Sequence, residues 1–169
     1  YAKLAPDDPR GDMGVESCKL ARKWKENPNG YKVSEMKYVN SLSRDYCPSF
    51  SKAEYNEIYF TSTRDDAMGE ETHGGTGDYF SDIFYSRKDM SGRWSRPEPI
   101  PGEVNTEVEE GATAFTGDYM TMFFTRCEVD KKEKLGCRIF TSQKSQEGEW
   151  SKPEVINLGR DSLVVAHPS

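Results

Sequence analysis

Four groups of residues in the chain have types that could do chemistry: the cysteines, the histidines, a short glutamate run and a glycine-rich loop. The cysteines are Cys18, Cys47, Cys127 and Cys137. All four are disulfide candidates. Cys127 ends an aromatic run and Cys137 opens the next, so a hairpin would set the two opposite each other at its open end. A bridge around so small a loop stabilises by roughly 2.5–3 kcal/mol on loop-entropy grounds. Cys18 and Cys47 form the second candidate pair, which would tie a helix to the β region. No Cys-x-x-Cys and no paired Cys/His spacing points to zinc.

His73 and His167 are the only histidines. His73 lies in Thr72-His73-Gly74-Gly75-Thr76-Gly77-Asp78. A phosphate-cradling loop needs a strand before it and a helix after it. Here Tyr79-Phe80 and another β run follow, so the segment reads as a surface insertion. Asp78 and Asp82 could hold calcium with backbone carbonyls, but they read first as solvated turn carboxylates. Glu107, Glu109 and Glu110 contain the kind of carboxylate pair that hydrolyses glycosidic bonds. Such a pair needs one raised pKa in a closed cleft, and this stretch reads as an exposed loop. Ser86–Trp94 resembles the Asp-box of sialidases, which is a structural turn. Nothing selects a Ser/His/Asp or Cys/His triad. The expectation is a protein without catalytic residues, cofactor or metal.

Charge excludes further classes. The 169 residues carry a net charge of −6, and no basic cluster stands out. Nucleic acid and anionic membrane surfaces, which are bound through Lys and Arg, are disfavoured. No apolar run approaches the ~20 residues of a membrane span. Hydrophobic residues make up 34% and charged residues 31%, against about 25% charged in an ordinary domain. Aromatics at 12% gather in short runs, which argues for a folded, β-rich chain with a thin core rather than for disorder.

The elements that must position these residues follow from periodicity. Residues 1–12 form a polar, Pro/Asp-rich lead. A helix follows, with Asp12 as its cap, Val15, Cys18, Ala21 and Trp24 on one face, and Pro28-Asn29-Gly30 as its stop. After Tyr31 the pattern becomes short β runs in an internal repeat. Phe50 and Phe115 sit in matching contexts at a shift of 65. Ile58-Tyr59-Phe60-Thr61 matches Met122-Phe123-Phe124-Thr125 at 64. Ile83-Phe84-Tyr85-Ser86 matches Ile139-Phe140-Thr141-Ser142, and Gly92-Arg93-Trp94-Ser95 matches Gly148-Glu149-Trp150-Ser151, both at 56. The eight-residue drop falls in one loop, where length varies most freely.

Four short strands per repeat is the pattern of a β-propeller blade. Phe50, Phe60, Phe84, Trp94, Phe115, Phe124, Phe140 and Trp150 are then expected to pack between blades. Ligand stacking by Trp94 and Trp150 is the weaker reading, since they hold equivalent repeat positions. Ala166-His167-Pro168-Ser169 resembles Tyr46-Cys47-Pro48-Ser49 and would open a third unit. The fold expected is all-β: two four-stranded blades and the start of a third, over residues 31–169, preceded by a lead loop and helix over 1–30. Lacking Met at its start and stopping inside a third unit, the chain is expected to be an excised or processed piece of a longer protein.

The runs Asp45–Ser51, Ile58–Arg64, Asp82–Ser86 and Gly92–Pro97 resemble the WD40-like PD40 repeat of TolB-type propellers. With Val39-Asn40-Ser41 and a helix ahead of them, they are similar to Bacteroidetes envelope proteins in which tetratricopeptide (TPR) repeats precede the propeller and a peptidoglycan-binding OmpA-like domain follows. The resemblance implies a non-catalytic protein–protein interaction scaffold, a component of a type IX secretion system. It implies a periplasmic lipoprotein held at the outer membrane through parts not present here. The partners implied are other protein subunits of an envelope secretion complex. Peptidoglycan would be met only through the absent domain, without direct membrane insertion by this segment. An oxidising periplasm also suits the disulfide candidates. A carbohydrate-active propeller hydrolase and a TolB-like periplasmic binding module are the alternatives.

Overall fold

The computed structural model describes residues 3–69, 72, 77–128, 136–159 and 164–169. The chain divides into two compact units, Tyr1–Glu35 and Met36–Ser169.

The first unit holds helix α1, Pro9–Glu26. Asp8, not Asp12, is its N-cap: the Asp8 carboxylate accepts the Arg10 amide at 3.0 Å. Pro9 explains the earlier start. Its φ is preset for a helix, and its missing N–H is one that the first turn leaves unpaired anyway. Asp12 falls in the first turn instead, where a negative charge suits the helix dipole. The expected apolar face is exposed, with Val15, Cys18, Ala21 and Trp24 all in solvent. No helix among the described residues is long and apolar enough to cross a membrane.

The second unit is mostly β. Strands β1 (Asp45–Phe50), β2 (Glu57–Ser62), β3 (Asp82–Arg87) and β4 (Glu98–Pro99) form one antiparallel sheet in chain order. Strands β5 (Glu109–Phe115), β6 (Thr121–Glu128), β7 (Gly136–Gln143) and β8 (Glu154–Val155) form a second with the same order. Neither sheet closes on itself.

The sequence repeat is reproduced in backbone detail. Both first strands carry a register shift, between Tyr46 and Ser49 and between Gly111 and Ala114. Cys47 (φ 49°) and Ala112 (φ 51°) stand there in the left-handed region, and His167 adopts φ 59° at the matching third place. Three side-chain-bearing residues in this costly conformation at equivalent positions mark one structural template. Tyr55 (φ 53°) and Tyr119 (φ 59°) repeat the same agreement in the turn that follows. The fourth run differs from expectation. Trp94 and Trp150 make only isolated bridges, to Lys88 and Lys144, and the paired strand begins after the proline. Pro97 and Pro153 have no N–H to give a ladder, so pairing resumes beyond them.

Alternation along β2 sends Ile58 and Phe60 to one face and Tyr59 and Thr61 to the other. The second face meets the second sheet. Tyr59, Ile83 and Ile100 there pack with Val104, Met122, Phe124, Phe140 and Trp150, and Tyr85 and Phe115 border them. A smaller cluster of Val39, Ile58, Phe60 and Phe84, bordered by Met36, Ala67 and Trp94, lies on the first sheet's other face. Of the eight aromatics expected to pack, Phe60, Phe84, Phe124, Phe140 and Trp150 are buried. Phe115 and Trp94 are partly buried. Phe50 is not: it is 41% exposed and meets only Tyr55 edge-on among aromatic rings, at 5.1 Å. The same motif buries Phe115 further because a sheet lies in front of it, where Phe50 faces solvent.

Candidate functional site

The described residues place their reactive groups in structural pairings, and most of those pairings lie between or beneath the sheets. Glu57 opens β2 and is 1% exposed. Its carboxylate accepts from Ser51 Oγ at 2.5 Å and from the Arg87 guanidinium. Lys144 of the second sheet reaches it at 3.2 Å. Burial alone would raise its pKa, but Ser51, Arg87 and Lys144 outweigh burial and hold it down at about 2. Two residues along the same strand face, the Tyr59 hydroxyl accepts Trp150 Nε1–H at 3.2 Å. Two further, Thr61 Oγ1 accepts the Ala112 amide at 2.9 Å. A single face of β2 therefore offers three successive acceptors to the second sheet. Gly111 is required beside the last of them, since a Cβ there would lie 2.6 Å from the Thr61 side chain.

Each sheet also buries one arginine in the same manner. Arg64 pairs with Asp45 at 2.6 Å, donates to the Val39 carbonyl, and stacks over Phe84 at 4.8 Å. Arg126 pairs with Glu110 at 2.7 Å, donates to the Val104 carbonyl, and stacks over Phe140 at 4.7 Å. The acid, the carbonyl and the ring are repeat equivalents, while the arginine comes from two different positions of the strand end. Removing one partner of such a pair leaves an uncompensated charge withdrawn from water, which is costly.

The acids considered for catalysis are placed differently from expectation. Glu109 and Glu110 lie in β5, not in an exposed loop, and Glu110 is 1% exposed with Thr106 and Arg126 as partners. Burial pushes Glu110 up to about 7 against those donors. Glu107 is exposed. Asp82 is buried in β3 and accepts the Met68 amide at 2.6 Å, and Asp78 pairs with Arg44. No group of three metal-binding side chains occurs among the described residues. His73 and its glycine-rich neighbours 74–76 lie outside the described residues. His167 is exposed, and its amide donates to Thr125 Oγ1 at 2.8 Å. The sialidase-like stretch is a turn held by Asp89, which accepts from Ser91 N, Ser91 Oγ and Arg93 N. Ser145 holds the second turn in its place, accepting the Glu149 amide.

Cys127 and Cys137 are directly opposite in the β6–β7 register and are joined by a disulfide. Replacing both by serine is expected to lower stability by roughly 2.5–3 kcal/mol, measured by urea titration. Cys18 and Cys47 are free thiols, so the expected second bridge is not made. Cys18 is exposed on the helix, and Cys47 sits half-buried at the left-handed kink of β1.

Burial lifts Asp82 to about 6, with the Met68 amide pulling the other way. A carboxyl raised in the fold costs nothing below its ordinary value, costs progressively more as pH rises from there to the raised value, and levels off above it. Asp82→Asn is therefore expected to match the wild type in melting near pH 3. Near pH 7.5 it is expected to melt higher, by about 1–2 kcal/mol in stability.

Sequence reasoning missed Glu57, Tyr59, Asp45 and both buried arginines. One signal for the sheet contact was present: Lys88 and Lys144 recur at the 56-residue shift, each just after an Ile-Phe strand. No family model matches the chain, and neither a curated protein nor a solved structure matches it.

Proposed function

We propose that the chain is a propeller segment of PD40-type blades that serves as a non-catalytic protein–protein interaction scaffold. The setting proposed is the Bacteroidetes periplasm, within an outer-membrane-associated lipoprotein of the type IX secretion system resembling PorE. One observation carries the reading. The Ala112 amide reaches Thr61 Oγ1 and the His167 amide reaches Thr125 Oγ1 by the same contact, one sheet later. A stacking step that repeats is what a propeller requires. The acids nearest to hydrolytic chemistry, Asp82 and Glu110, are each 1% exposed, which favours a scaffold over a glycosidase, since substrate must reach both carboxylates. Loops between strands, such as those within 65–79 and 128–136, would vary to meet partner subunits.

Affinity capture from an envelope extract, with partners identified by mass spectrometry, tests this reading. Recovery of secretion-ring or outer-membrane proteins is the expected result. Release of reducing sugar from envelope polysaccharide by the purified chain would replace the scaffold reading with the hydrolase.

A further inference from the structure

The contact between the two sheets includes a row of three donors on three acceptors. Lys144 Nζ, Trp150 Nε1 and the Ala112 amide meet Glu57, Tyr59 and Thr61. Lys144 also lies over the Trp150 ring, at 5.2 Å. Every donor has a repeat counterpart on the first sheet. Lys88 lies over the Trp94 ring at 4.8 Å, and Cys47 carries the left-handed φ of Ala112. Yet among the described residues no carboxylate pairs with Lys88 and no hydroxyl takes the Trp94 Nε1–H. Beside them Phe50, the counterpart of the packed Phe115, is exposed. One face of the first sheet thus presents the donor half of a contact whose acceptor half is built on β2.

We propose that this face receives a further β-sheet unit whose facing strand carries the triplet acid-x-Tyr-x-Thr, with the acid on Lys88, the phenol on Trp94 and the threonine on the Cys47 amide. Charge complementarity and continuity with the existing sheet contact identify the occupant. A second copy of this chain fits less well. The strand that it would offer reads Thr121-x-Phe123-x-Thr125, without acid or phenol, and its Thr125 is already taken by the chain's own His167 amide. The inference rests on the repeat-unit part of the proposed function and is independent of the secretion role.

The test is a lengthened chain, residues 1–103 joined to residues 39–169, which places a second Glu57-x-Tyr59-x-Thr61 strand ahead of the natural first sheet through the natural junction. Lys88→Met in the following unit is expected to lower the melting temperature of this chain by about 4 °C or more. In the natural chain the same change is expected to leave it within about 1 °C, as for an exposed lysine. A second variant carries Glu57→Thr and Tyr59→Phe in the added unit only, copying the pair found on β6. It is expected to abolish the Lys88 effect. Equal Lys88 effects in the natural and lengthened chains would overturn the proposal. A Lys88 effect that survives the second variant would overturn the triplet while leaving the repeat reading intact. Separate melting of the added unit would overturn both. Concentration-dependent self-association of the natural chain that Lys88→Met abolishes would assign the face to a second copy instead.

Discussion

Trp150→Ala is expected to destabilise the chain by roughly 3–5 kcal/mol and to lower its melting temperature by roughly 10 °C or more. The indole is 9% exposed and sits edge-on to Tyr59 at 6.2 Å and tilted over Phe115 at 6.0 Å. Its removal opens a cavity between the two sheets, in the cluster that also holds Tyr59, Phe124 and Phe140, and it leaves the Tyr59 hydroxyl without its donor. Burial and the nearby Glu57 charge already push that hydroxyl's pKa up to about 12, so ionisation gives it no escape. Trp94→Ala removes the same residue type at the equivalent repeat position. It is expected to cost less than half as much, because Trp94 is only partly buried at the edge of its cluster. Differential scanning calorimetry on the two variants gives the comparison. Equal losses would mean that the sheets do not lean on Trp150.

Glu57→Ala carries the second large effect, expected at roughly 3–5 kcal/mol, the cost of removing one partner from a buried ionic group. Lys144 would be left without its carboxylate, with its side chain only 12% exposed. Arg87, half-exposed, can turn to solvent and contributes less. Glu57→Met combined with Lys144→Met is expected to recover part of the loss, since an apolar pair needs no desolvation of charge. The pH dependence has the opposite sign to that of Asp82. A carboxylate held near 2 in the fold, against an ordinary value of 4.5, stabilises above the ordinary value and loses that contribution as pH falls towards 2. The wild type should therefore lose stability below about pH 4.5, and the double Met variant should lose less. Acid titrations followed by circular dichroism distinguish the two.

Much of the fold was legible because the repeat encodes it twice. Ile58-Tyr59-Phe60-Thr61 and Met122-Phe123-Phe124-Thr125 gave the central strand of each sheet, and the eight-residue difference fell in a loop as expected. The helix was legible in type but not in its start, because Asp12 and Asp8 are both competent caps and only Pro9 decides between them. The role of Phe50 was not legible. Its neighbours match those of Phe115, yet burial depends on whether a sheet stands in front, which no local pattern reports. Glu110 was misplaced for a related reason. An acid flanked by acids reads as solvated, and its partner Arg126 is 16 residues away. Glu57 escaped notice because its partner Lys144 is 87 residues away, on the other sheet. Cross-sheet contacts of that kind are visible only once the stacking is known.

The stacking depends on one step, the seating of each sheet on the strand face before it through an amide in the left-handed conformation. Amide hydrogen exchange resolved by NMR reads that step directly at Ala112 and His167, whose acceptors are Thr61 and Thr125. Stacked sheets should slow the Ala112 amide by about 100-fold or more relative to an unstructured amide, with His167 protected in the same sense. An Ala112 amide that exchanges at the unstructured rate while the β2–β3 ladder stays protected would contradict the stacking and everything built on it.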